Sequence, residues 1–127
     1  MLDFRKVATL QGWSALIWGI ILLVAPSPVL GILAIQADAS DLVLARLAGA
    51  MLFALGATLF VARETTEEDR RTRVAFGNAT ADLAMVVVLG TATFTGVLGP
   101  VGYGVSALFA VNVASWLATR IGTGASD

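Results

Sequence analysis

The chain of 127 residues has no cysteine and no histidine, and lysine occurs once, at Lys6. Without cysteine there are no disulfides, thiol redox chemistry or thiolate metal sites. Without histidine the commonest metal ligand and the usual general base are missing. A retinal Schiff base needs a lysine in the middle of a spanning helix, and Lys6 stands at the N-terminal end, so a rhodopsin reading fails. Charge is also scarce. Residues 74–119 carry one charged side chain, Asp82, residues 7–25 carry none, and residues 42–62 carry only Arg46. With a net charge of −1 there is no basic field for nucleic acid.

What remains is apolar. Hydrophobic residues make up 57% of the chain, and mean hydropathy is +0.86. Bilayer hydrocarbon is about 30 Å thick, so a spanning helix needs roughly 20 predominantly apolar residues. Four such segments fit, at about residues 5–25, 42–62, 73–93 and 100–120. The expected fold is all-α: one transmembrane domain, a four-helix bundle in the lipid bilayer. Arg5 and Lys6 resemble the start of a signal peptide, but the apolar run after them is too long, Leu23 stands where a small residue is wanted, and Pro26 follows Ala25. The first span is therefore expected to stay uncleaved.

Pro26-Ser27-Pro28 ends the first span, because a residue before proline is pushed out of helical geometry. The apolar run 29–36 is too short to cross, and reads as a short interfacial helix or a re-entrant segment, with Ser27 as cap and Pro28 at its first position. Ser40 is the expected cap of the second span, with Asp41 in its first turn. Thr66 followed by Glu67, Glu68 and Asp69 marks the third helix as starting about two turns before the membrane. Pro100 opens the fourth, which is expected to reach Ile121 before a polar tail.

Seven basic residues (Arg5, Lys6, Arg63, Arg70, Arg71, Arg73 and Arg120) fall on one side of a four-span layout, against Arg46 alone on the other. The positive-inside rule then predicts a cell (plasma or inner) membrane protein with both termini cytoplasmic.

Asp82 lies nine residues past Arg73, about 13 Å deep. Asn78 is one turn below it, and Asn112 is expected at similar depth on the last helix, continued by Ser115 and Thr119. Gln11 and Ser14 share a face of the first helix in the same half. Two readings stand for this cluster. It is a proton- or cation-responsive site, or a hydrogen-bonded acid joining helices. Arg46, near the outer surface, can snorkel outward or pair with Asp38 or Asp41.

Small residues recur every fourth position along the last helix, at Gly102, Ser106, Ala110, Ala114, Ala118 and Gly122. Ala110 and Ala114 lie about 160° around the helix from Asn112. Such rows let helix backbones approach closely, so the expectation is a homo-oligomer or docking into a larger membrane complex.

Gly12-Trp13 and Gly19 in the first span, the Pro26-Ser27-Pro28 break, Arg46-Leu47-Ala48-Gly49 opening the second span, and the layout of four spans together resemble the small DoxX-like membrane proteins. The resemblance covers the chain in layout and carries over no catalytic role. Small multidrug-resistance exporters have an essential Glu in the first helix, where this chain has no acid. Fluoride channels have a Phe-containing polar break in the third helix, faintly similar to Thr91-Ala92-Thr93-Phe94-Thr95, but also an Arg-containing first helix absent here. No nucleophile–base pair, metal ligand set or cofactor motif is visible. The expected function is therefore non-catalytic, an oligomeric or accessory subunit. The alternative is a small transporter or channel built on the Asp82 cluster.

Overall fold

The structure, a computed structural model, describes residues 2–119. Arg120, Gly122 and the polar tail lie outside the described residues, as does the expected helix end at Ile121. The described part is all-helical: α1 (Phe4–Val24), α2 (Pro26–Ile32), α3 (Ala39–Ala62), α4 (Glu68–Phe94) and α5 (Val101–Ala118). All but α2 are long and apolar enough to cross a membrane, and the chain is a multi-pass membrane protein. At about 40 Å, α4 exceeds the hydrocarbon thickness, so its charged first turns, with Arg70, Arg71 and Arg73, can project beyond it.

The caps differ in detail from the sequence reading. Asp3 caps α1, its carboxylate accepting from Arg5 N at 2.9 Å. The α2 helix starts at Pro26, earlier than expected, with Ala25 at the cap and Ser27 inside the helix. At α3 the cap is Asp38, not Ser40. Asp38 accepts from Asp41 N at 2.9 Å while Asp41 accepts from Asp38 N at 3.0 Å, a reciprocal box that satisfies two otherwise unpaired amides. Glu67 caps α4 without a side-chain bond, and Thr66 lies outside the helix.

The helices pair as two antiparallel hairpins, α1 with α3 and α4 with α5. The first pair rests on glycines seven residues apart on each helix, Gly12 and Gly19 facing Gly56 and Gly49. A Cβ on Gly19 would stand 2.7 Å from Phe53 N and 2.8 Å from Gly49 O, and one on Gly56 2.8 Å from Gly12 O. Only backbone fits there. Ala8, Ala15 and Ala45 continue the buried seam. A seven-residue repeat of small residues is the pattern that keeps one narrow stripe of a helix against its partner.

The second hairpin is held differently. Gly102 lies against the Thr93 side chain, and Ser106 Oγ donates to Val86 O at 3.1 Å across the pair. Thr93 Oγ1 in turn donates to Leu89 O at 2.8 Å within α4.

The hairpins meet at both ends. Phe4, Val7 and Ala8 of α1, Leu59 of α3, Ala75 and Ala79 of α4 and Trp116 of α5 form one buried cluster at the basic end. Arg71 adds to it, over the Phe4 ring at 5.7 Å and donating from Nε to Thr65 O at 2.8 Å. At the far end Gly99 N donates to Leu33 O at 3.0 Å, beside Ala34 in the left-handed region at φ 62. Large apolar side chains on the outward faces are exposed, Leu10, Val24, Val61, Phe76 and Phe94 among them. In a water-soluble fold such a surface would be a liability, whereas in a bilayer it is the lipid face.

Candidate functional site: a polar seam between the hairpins

Trp116 is fully buried in the cluster, with its ring 5.9 Å from Phe4. Its indole Nε1 donates to Gln11 Oε1 at 2.6 Å, joining α5 to α1 across 105 residues of sequence. Indole N–H only donates, so the amide oxygen of Gln11 must face it. That leaves the amide nitrogen turned the other way, and Gln11 Nε2 is buried without a hydrogen-bond partner. Asp82 Oδ2 is the other such side-chain atom among the described residues.

The two lie in one layer. Ala8 packs in the same cluster as Ala75 and Ala79; Gln11 is one turn beyond Ala8 on α1, and Asp82 one turn beyond Ala79 on α4. The antiparallel register set by Gly102 with Thr93 and by Ser106 with Val86 brings Trp116 level with Ala79, and Asn112 close to the level of Asp82. A spare donor on α1 and a spare acceptor on α4 are thus buried at about one depth. That arrangement takes a water, a hydroxyl or a protonated group more readily than a bare cation, because the free end of Gln11 offers hydrogens.

The other polar residues named from the sequence play smaller parts. Asn78 is half-buried, and its Nδ2 donates to Val74 O at 2.8 Å in its own helix. Ser115 Oγ donates to Val111 O at 2.8 Å. Asn112 is half-buried on the face that carries Trp116, and Ser14 is exposed. Arg46 is exposed and forms no ion pair among the described residues, while Asp38 and Asp41 are engaged with each other. Along α5 the small row divides. Gly102 and Ser106 are buried against α4 of the same chain, Ala110 and Ala114 are exposed, and Ala118 is half-buried. Among the described residues no group of three acidic side chains could hold a metal ion.

Two features escape the sequence reading. Nothing local in the sequence signals that Trp116 pairs with Gln11. The glycine heptads of α1 and α3 are visible as spacing, but Gly12–Gly19 and Gly49–Gly56 gain meaning only when the two helices are set antiparallel.

The resemblance to DoxX-like proteins rests on the sequence layout given above. Set against protein-family models, curated proteins and solved structures, the chain matches none.

Proposed function

We propose that the protein is a non-catalytic membrane subunit that packs against further transmembrane helices, from copies of itself or from a larger membrane assembly, in a plasma or inner membrane with both termini cytoplasmic. The observation that carries this reading is the outward face of the second hairpin. Gly77, Ala81 and Ala84 on α4 and Gly104, Ala107, Ala110 and Ala114 on α5 are exposed. A Cβ added at Gly77 or Gly104 would meet nothing within 4 Å. Set beside the exposed Val88, Tyr103 and Val111, these small residues leave hollows in which a neighbouring helix gains close van der Waals contact. Ala110→Leu and Ala114→Leu should dissociate the assembly in native mass spectrometry while the monomer keeps its melting behaviour. An unchanged assembly with both variants would remove the reading.

A second reading is favoured by the unpartnered Asp82 Oδ2 and Gln11 Nε2. A small transporter or channel would need such a polar layer between two hairpins. Ion-dependent flux through proteoliposomes containing the purified protein separates the two readings.

A further inference from the structure

Near the N-terminus of α1 a shallow groove of about 390 Å³ is lined by Arg5, Lys6, Thr9, Leu10 and Trp13. Its residues divide by chemistry along the helix. Arg5 and Lys6 form a basic rim where α1 emerges at the charged end, and Leu10 and Trp13, 73% and 55% exposed, form an apolar wall one to two turns deeper. We propose that this groove seats one anionic phospholipid, with its phosphate headgroup against Arg5 and Lys6 and an acyl chain along Leu10 and Trp13. The inference rests on the membrane-spanning helices alone and stands whether or not the protein assembles with others.

Neighbouring groups determine the charge preference. Lys6 has no ion-pair partner among the described residues. Arg5 pairs with Glu64 at 3.1 Å, but Arg63 holds the same Glu64 oxygen at 3.0 Å, so Arg5 can turn to a phosphate without leaving Glu64 alone. Asp3, the other nearby acid, is engaged in capping α1. The Thr9 hydroxyl donates to Arg5 O at 2.7 Å, which leaves the two basic side chains as the headgroup's donors. A zwitterionic headgroup would bring its own cation against Lys6, and a net negative one would not. The wall is also fixed in place. Trp13 stands edge-on to Phe60 with centroids 5.2 Å apart, and Arg63 lies over that Phe60 ring at 4.7 Å. Tryptophan at this level and lysine or arginine just outside it are the side chains that suit the headgroup boundary.

The test is native mass spectrometry of the full chain in micelles containing equal phosphatidylglycerol and phosphatidylcholine. One phosphatidylglycerol should be retained in preference. Lys6→Gln, which breaks no described ion pair, should reduce the preference about fivefold, and Arg5→Gln with Lys6→Gln should abolish it. Arg70→Gln with Arg73→Gln removes as much charge from the same end and should leave it intact. Equal retention of both lipids, an unaltered preference in the Arg5/Lys6 variant, or an equal loss in the Arg70/Arg73 variant would overturn the proposal. So would displacement of the lipid by millimolar inorganic phosphate, which would mark a site for a free anion.

Discussion

One amide orientation governs what the polar seam has to offer. Trp116 takes the Gln11 oxygen, so Gln11 presents hydrogens to its surroundings and Asp82 presents a lone pair. Asp82→Asn keeps an acceptor for a water held between it and Gln11 Nε2 and adds donors, so the protein should melt within about 1 kcal/mol of the parent. Asp82→Leu removes the acceptor that a water held between Asp82 and Gln11 Nε2 would need and should cost about 1–3 kcal/mol, read by thermal or denaturant unfolding in detergent. Equal stability of the two variants would mean that Gln11 and Asp82 do not depend on each other. If the layer serves transport, Asp82→Asn should fold normally yet abolish ion-dependent flux. The depth of Asp82 is legible in the sequence, because nine residues of helix separate it from Arg73. The loss of the Gln11 oxygen to an indole 105 residues away is not, since no local pattern reports a tertiary hydrogen bond.

Among the elements, the two hairpins use different adhesives. The α1–α3 pair depends on backbone contact at Gly12, Gly19, Gly49 and Gly56, whereas α4–α5 depends on Thr93, Gly102 and Ser106. Gly19→Ala and Gly49→Ala should each destabilise by about 1–3 kcal/mol, because the neighbouring atoms are backbone and cannot move aside alone. Gly77→Ala and Gly104→Ala meet open space in helix interiors. In the monomer they should be neutral or stabilising by up to about 1 kcal/mol, since alanine is the better helix former, whereas against a neighbouring helix the added methyl would loosen the contact. Melting temperatures of the four variants check this, and a uniform response would refute the close approach. Helix existence is readable from long charge-free runs, because lipid tolerates little else. Helix starts are less so. Ser40 is the conventional choice of cap, but Asp38 and Asp41 satisfy each other's backbone amides, and that reciprocity places α3 one residue after Asp38. The row from Gly102 to Ala118 is likewise visible as a single stripe, while its division between α4 and the exposed surface depends on how the hairpins lean.

For the molecule as a whole, the basic residues distinguish its two ends. Arg5, Lys6, Arg63, Arg70, Arg71 and Arg73 gather at one end of the described helices, with Arg46 toward the other. Cysteine labelling tests the proposed orientation cleanly, because the chain has no native cysteine. Ser27→Cys should react with an impermeant reagent added to intact cells, and Thr65→Cys only after the membrane is opened. Reaction of Thr65→Cys from outside would reverse the topology.

The pairing of the helices as neighbours in sequence bears on biosynthesis. Each hairpin can close its own contacts as soon as its second helix leaves the ribosome, without waiting for the other half. The connection between them, around Arg63 to Glu67, lies at the charged end and contributes no residue to the Trp116 cluster. Two separately translated pieces, residues 1–66 and 67–127, should therefore insert independently and reassociate through Trp116, Gln11 and the Leu33–Gly99 contact. Co-purification of the pieces checks this, and Trp116→Ala should abolish it.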